Sequence, residues 1–559
     1  MGSIYYVERN GTKYAYESTS RRVPGKKNPV TDKVYLGKVD PKTGKIIPKE
    51  PKTVPAEEHV RKYGCVTVLD GIQEELGILD DLRDNFPDIA EKILGASFAQ
   101  VIEPTCFDDL HFVVEENIIS EVLKLRGNLS SAVMSDLSKD LGMRIGAMDS
   151  FFGARMARSA SSGPYAIDLT SVSSHSDMGG WSEWGHNRDG EDLRQTEFVL
   201  VTDGKGIPMA FEMLPGSIAD STVLESTVDR LAELGCKARL VMDRGFENAS
   251  NIAALLDLGV EFTMPSNIRE EPIKKLLSRA ITDLKGSERF RSHCGNPYKV
   301  AEYEVGIADL DSGHSYITRV PDDHRDSEET NRIFESSRKI KAFVVYDPKK
   351  ASDDIDRMVS MVEQAELKLE GTLRTDPAKM FADLPPAVRR HLEYTVDDDG
   401  IMHIHRKQNS FSFAENRAGM FIMFASPGTD WETMMTSYDV RDWVEKAFDV
   451  YKTDLDGSRL RTGDPDRARG RLFIKFVSMI LRITIQNAIR DHELEVLASR
   501  RKKDNICGLT VNSLMRSLGT LMLISSPGYQ RLTPVSKTVR EIFQLFGLEE
   551  PRSGRITPS

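Results

Sequence analysis

Residues 165–265 alternate between runs that suit a twisted sheet with helices packed on it. YAIDLTSVS reads as a strand, and TEFVLVT and IPMAFEML read as two more joined by the hairpin signal DGKG. SIADSTVLESTVDRLAELG has helical spacing, with Asp220 or Ser221 at its start and Gly235 at its end. KARLVMD is a strand ending at Asp243, RGFENASNIAALLDLG a helix, and VEFTMP a further strand. The predicted order is three strands, a helix, a strand, a helix and a strand, which is an α/β core. Asp168 lies between Ile167 and Leu169 in the first strand, where a buried carboxylate is costly without a partner. A metal ion would be such a partner; a strand with one wet face is the other reading. Asp203, inside DGKG, is read as a turn former.

A second constraint comes from YDVRDWVEKAFDVYK, residues 438–452. On an ideal helix Tyr438, Arg441, Glu445 and Lys452 share one stripe about 60° wide. Val440, Val444, Ala447, Phe448, Tyr451 and Leu455 form an adjoining apolar side, so the segment predicts an amphipathic helix. The simplest account of the stripe is a solvated face with an Arg441/Glu445 pair worth a few tenths of a kcal/mol.

The spacing Tyr-x2-Arg-x3-Glu-x6-Lys also resembles the Y-R-E-K signature of DDE transposases of bacterial and archaeal insertion sequences, in the insertion-sequence-four superfamily. VMDRGF resembles the family's D-R-G-F/Y element, and PGSIAD its G-x3-D segment; together the likeness covers about residues 165–490. It implies an RNase H-like mixed sheet with flanking helices, the first acid on the first strand and the second at the end of the fourth. Asp168, Asp243 and Glu445 are the implied catalytic and metal-binding residues, holding two Mg²⁺ (or Mn²⁺) ions. Tyr438, Arg441 and Lys452 are the implied DNA-binding residues. The implied activity is cleavage at the element's ends by water, then attack of the freed 3′-OH on target DNA. The partners would be double-stranded transposon ends and target DNA, with a homodimer on DNA. Two other readings are an RNase H-like nuclease without strand transfer and a non-mobile, transposase-derived DNA-binding protein. One departure is the base-gripping tryptophan of the family's insertion, which has no counterpart here. The nearest, Trp431, belongs to an expected TDWE capping box. His175 and His186, near Trp181 and Trp184, are read as loop residues near DNA, because no close-spaced His or Cys completes a ligand set.

The expected domains are a basic β-rich unit (1–56), a helical region with a helix-turn-helix candidate (57–158), a first core part (164–265), an α+β insertion (266–418), a second core part with the signature helix (419–495) and a helical C-terminal region (496–559). In the insertion, IMHIHRKQNSFSFAE is expected as a strand. The C-terminal region, including LTVNSLMRSLGTLMLIS, is expected to be helical and to offer dimer contacts. The net charge of −11 leaves little room for a broad DNA track. The excess of Lys and Arg is concentrated in the first 64 residues, where tyrosines interleave with lysines in runs suited to phosphates and bases. Five scattered cysteines without a CxxC pair predict neither a disulfide framework nor a zinc finger. With no basic-plus-apolar leader, the expectation is a cytoplasmic, nucleoid-associated protein without a membrane span. Residues 472–489, the most apolar stretch, are broken by Lys475, Arg482 and Gln486 and are expected to be a buried helix.

Overall fold

The computed structural model describes residues 3–9, 11–21, 30–48, 59–159, 163–184, 192–216, 220–266, 271–307, 338–370, 372–373, 376–526 and 529–556. His186 and residues 217–219 of PGSIAD lie outside them. The chain divides into two units. One comprises Met1–Val60, Leu523–Thr533 and Ser553–Ser559; the other comprises Arg61–Met522 and Pro534–Arg552.

In the first unit, β1 (Ser3–Arg9), β2 (Thr12–Arg21), β3 (Val30–Val39) and β4 (Ile46–Pro48) form an antiparallel sheet in sequence order. Its tyrosines meet across strands: Tyr5 stacks on Tyr16 at 5.6 Å, and Tyr16 lies tilted against Tyr35 at 5.2 Å. Such cross-strand aromatic pairs stabilise a small sheet in which, among the described residues, Ala15 is the largest buried apolar side chain.

The second unit, from Arg61, takes in the end of β5 (His59–Lys62) and seven helices: α1 (Gly64–Leu76), α2 (Ile78–Asn85), α3 (Ala90–Ile102), α4 (Leu110–Glu116), α5 (Ile119–Val122), α6 (Ser131–Met143) and α7 (Ile145–Arg158). EELGILDDLRDNF is broken because Gly77 takes φ +64° and ends α1. The helix-turn-helix candidate, α6 and α7, has its apolar side occupied: Phe151 and Phe152 pack edge-on against Phe473 and Phe211. Arg155 and Arg158 of α7 are both tied to Asp81 of α2, Arg158 by a fork at 2.8–3.0 Å and Arg155 at 3.3 Å.

The central sheet is built from β6 (Tyr165–Ser174), β7 (Arg194–Thr202), β8 (Pro208–Pro215), α8 (Asp220–Glu233), β9 (Leu240–Met242), α9 (Ala249–Asp257) and β10 (Phe262–Pro265). These are the elements predicted for residues 165–265, save that Arg244–Phe246 is a 3₁₀ turn and α9 starts only after Asn248, whose side chain caps it by accepting from Asn251 N at 2.7 Å. β6 pairs antiparallel with β7 and parallel with β9, β7 pairs antiparallel with β8, and β9 parallel with β10.

The stretch expected as an insertion joins the same sheet. After α10 (Glu271–Asp283), β11 (Phe290–His293), β12 (Asn296–Gly306) and β13 (Lys339–Tyr346) lead to β17 (Met420–Ala425), which pairs antiparallel with both β13 and β10. The full order is β11-β12-β13-β17-β10-β9-β6-β7-β8. Between β13 and β17 lie α11 (Pro348–Leu369), β14 (Thr372–Leu373), α12 (Pro377–Ala382), α13 (Pro386–Arg389), β15 (Leu392–Val396), β16 (Ile401–Arg406) and α14 (Gln408–Glu415). They enclose a separate core of Val362, Leu369, Leu384, Leu392 and Met402. QNSFSFAE, expected to continue a strand, is α14 instead. Its alternating phenylalanines imitate a strand period over only a few residues.

α15 (Trp431–Asp449) carries the signature residues and lies across the sheet. Its cap is Asp430, which accepts from Thr433 N at 2.8 Å, so the TDWE box expected at Thr429 is shifted by one residue. Thr429 instead donates its hydroxyl proton to Ser426 O. All six residues predicted for the apolar side are buried. The α-helix stops at Asp449 and continues as a π-helical turn, Val450–Asp454. After β18 (Arg459–Leu460) comes α16 (Pro465–Ala498), whose Phe473 and Phe476 meet Phe211 of β8. Among the described residues it is the one helix long and apolar enough to cross a membrane, and 83% of its most apolar window is buried inside the protein, as expected of a core helix. Gly142 and Gly470 let α6 and α16 touch: a Cβ on Gly470 would meet Ser138 O at 1.8 Å. The C-terminal region is mixed rather than helical, with α17 (Val511–Leu518), β19 (Met522–Ser526), β20 (Tyr529–Leu532), α18 (Lys537–Leu545) and β21 (Gly554–Ile556). MLISS is a strand because Leu523–Ser526 pairs with β20.

Candidate active site

Register places the first two acids. Ala166, Val241, Thr263 and Ala425 are successive cross-strand partners, so their side chains share one face of the sheet. Two residues onward, Asp168, Asp243 and Pro265 leave that same face. Ile167 pairs with Met242, which sets Asp168 and Asp243 one rung beyond, on strands about 4.8 Å apart. Asp168 is the one residue of β6 that is not buried. Its Oδ1 accepts from Leu169 N at 2.7 Å. The other reading, a strand with one wet face, does not hold for β6, whose residues other than Asp168 are all buried.

The same face carries α15. Met423 and Ala425 of β17 form one core cluster with Trp431, Met434 and Met435, and Phe198, the partner of Thr170, meets Phe448 at 6.0 Å and Tyr451 at 5.0 Å. Helix packing therefore brings Glu445 over the ends of β9 and β10. There, Asp243, Arg244, Ser266, Lys350, Phe421, Tyr438, Arg441 and Glu445 line a cavity of about 470 Å³. Arg441 stands between the acids, with Nη1 3.8 Å from Asp243 Oδ1 and Nη2 4.0 Å from Glu445 Oε1. Two carboxylates from distant parts of the chain thus face one guanidinium. Arg441 Nε is buried and, among the described residues, has no hydrogen-bond partner.

Tyr438 forms one wall. Its ring stacks on Phe421 at 5.2 Å and 16°, and Arg441 lies 5.2 Å from its centroid. Burial raises the Tyr438 pKa above the usual phenol value, against the opposing pull of Arg441. Burial also acts against the Arg441 charge, but Tyr438, Glu445, Asp243 and Asp442 outweigh it and the pKa is raised. Both groups keep their ordinary forms at neutral pH.

Lys452 is placed differently. Neither it nor Asp168 is among the residues lining the cavity. The π-helical turn adds a residue to the winding, so the 100° step that put Lys452 on the stripe no longer holds there. The turn is secured from α16: buried Lys475 donates from Nζ to Leu455 O at 2.8 Å and Asp456 O at 2.7 Å, and Arg482 Nε donates to Asp454 Oδ2 at 3.2 Å. Burial lowers the Lys475 pKa to about 8.

Ser266 and Lys350 were not singled out by the sequence. Lys350 comes from the first turn of α11, its Nζ 5.2 Å from the Phe421 ring centroid, and nothing in its local spacing marks it. Asp203 behaves as the turn former expected of it, its Oδ1 accepting from Lys205 N and Ile207 N at 2.9 Å each. His175 is exposed on its loop, and Trp181 of that loop lies 5.3 Å from Arg469. A larger cavity of about 760 Å³, lined by Met358, Met361, Val388, Phe413 and Arg417, lies among α11, α13 and α14, and of the acids only Asp354 lines it.

A family model described as Transposase DDE domain matches residues 160–481, more than half of the chain and the whole stretch from β6 through α15. No curated protein matches the chain.

Proposed function

Because the chain belongs to the transposases with a DDE domain, we propose that Asp168, Asp243 and Glu445 are its acidic triad, within an RNase H-like core of the insertion-sequence-four type. The observation that carries this reading is the meeting of Asp243 and Glu445 at Arg441, with Asp168 on the next strand and the same face. The strand order β8-β7-β6-β9-β10, with the first three antiparallel and the rest parallel to β6, supports the fold assignment.

DDE transposases use divalent metal ions and act on DNA. The donor set fits: carboxylate oxygens suit Mg²⁺ or Mn²⁺. Asp168, Asp243 and Glu445 would together hold the ions. When bound, they would activate the attacking oxygen and stabilise the leaving one. The chain's own residues do the positioning. Arg441, held against the Tyr438 ring, presents a planar fork to a phosphate, and its unpartnered Nε is one of the donors it would use. Tyr438 lies beside it, and Lys350 and Arg244 add charge at the cavity wall. Lys452, on the π-helical turn beyond the cavity, would grip the strand further from the cut. Water attacks first and frees a 3′-OH at each end of the element; that hydroxyl then attacks target DNA by the same in-line displacement, in a dimer formed on DNA.

The proposed domains keep the sequence boundaries given above, save that residues 523–533 and 553–559 fall in the same unit as residues 1–60 and that the insertion shares the core sheet. The test is Asp168→Ala and Glu445→Gln: each abolishes cleavage at the element's ends while end binding in a mobility-shift assay persists. Cleavage retained by either variant removes the triad assignment. Nicking without joined product would favour a nuclease alone.

A further inference from the structure

We propose that His293, Cys294 and Asp439 form a binding site for a zinc-like transition metal, separate from the acids, that fastens the β11–β12 hairpin to α15. His293 pairs with Asn296, leaving Cys294 and Gly295 as a two-residue turn with φ +48° and +78°. Asn, Asp or Gly normally fills both places of such a turn. Here a thiol occupies the first one despite the backbone cost of a positive φ.

The thiol and its neighbours converge. Cys294 Sγ is 3.6 Å from His293 Nε2, Asp439 Oδ2 is 2.7 Å from that nitrogen, and the three ligand atoms all lie within 4.8 Å of one another. Tetrahedral zinc with ordinary bond lengths places N and S ligands about 3.6 Å apart and N and O ligands about 3.3 Å apart. The sulfur is already at that spacing. The carboxylate, on an exposed side chain, would withdraw by roughly half an ångström to admit the ion. On the far side of the buried ring, Nδ1 faces Glu432 Oε2 at 3.4 Å. A carboxylate there fixes the imidazole with its proton on Nδ1 and its Nε2 lone pair toward the metal.

One sulfur, one nitrogen and one oxygen select a borderline-soft ion rather than Mg²⁺. Cys294 and Asp439 are exposed, so a fourth position faces solvent. Asp439 adjoins Tyr438 but does not line the acid cavity. The metal would therefore hold the N-terminal half of α15 against the sheet's far strands without touching the reacting phosphate.

The experiment uses full-length, chelator-stripped protein titrated with Co²⁺, a spectroscopic substitute for zinc. Wild type is expected to develop a thiolate-to-cobalt charge-transfer band with the visible bands of a tetrahedral site. Cys294→Ser loses the thiolate band. Asp168→Ala and Glu445→Gln keep it, because the catalytic acids supply no sulfur. Cys507→Ser keeps it too; that control is needed because His492, Asp504 and Cys507 also lie together. Glu432→Gln is expected to weaken zinc binding about tenfold or more. Absence of a thiolate band in wild type, or a band that survives Cys294→Ser and disappears in Cys507→Ser, overturns the proposal and leaves a metal-free His–Asp hydrogen bond.

Discussion

Replacing Arg441 by Gln removes a positive charge from between two carboxylates that are to bind a positive ion. A divalent ion seated on Asp243 Oδ1 would stand up to about 6 Å from the guanidinium, from the 3.8 Å contact and a bond of about 2.1 Å. Side-chain exposures of 24% for Arg441, 39% for Asp243 and 57% for Glu445 call for a dielectric close to that of water. The repulsion relieved is then about 1.4 kcal/mol, roughly tenfold in affinity, falling to about half that energy, or threefold, at 0.15 M salt. Arg441→Gln should therefore bind Mn²⁺ more tightly than wild type by about these factors, with the gain shrinking as salt rises, while end cleavage falls because the phosphate loses its fork. Electron paramagnetic resonance of free Mn²⁺ reads the affinity directly. Unchanged or weaker Mn²⁺ binding would mean that Asp243 and Glu445 do not hold an ion beside this arginine.

Two predictions concern stability. Asp81→Ala should cost about 3–5 kcal/mol in urea denaturation, because Arg155, 5% exposed, is left charged without its carboxylate; a loss under about 1 kcal/mol would show that the ion pair is dispensable. Lys475, with a folded pKa of about 8 against 10.5 unfolded, binds fewer protons in the folded chain between those values. Its contribution to stability therefore rises with pH across that window, by up to about 3 kcal/mol. The difference in unfolding free energy between wild type and Lys475→Met should grow in favour of wild type from pH 8 to 10.5, and a difference flat in pH refutes the buried-lysine account.

The seven elements of residues 165–265 were legible because each is bounded by a strong signal: DGKG, Gly235, the end of VMD and the Pro of VEFTMP. What escaped has definite causes. β11 and β12 escape the sequence reading, since FRSH is mostly exposed, Lys299, Glu302 and Glu304 interrupt the apolar residues of NPYKVAEYEVG, and Cys294-Gly295 is not a familiar hairpin signal. β19 reads as helix in the sequence because a five-residue run has no period of its own, and pairing with β20 decides it. The meeting of Asp243, Arg441 and Glu445 follows from one helical turn plus one strand end. The position of Lys452 does not, because the extra residue of the π-helical turn is held by Lys475 and Arg482, which lie well beyond the motif. Asp430 took the cap from Thr429 because the chain enters α15 one residue later than the S/T-x-x-E pattern suggests.

The segment spliced between the second and third acids does not hang from the core as a detachable cassette. β17, which returns the chain toward α15, is laced on one edge to β10 and on the other to β13. Excising that segment would bare the backbone of β17 along one whole side and slacken the floor on which Tyr438 rests. β13 therefore belongs to the sheet that carries Asp168 and Asp243 as much as to the lobe that follows it.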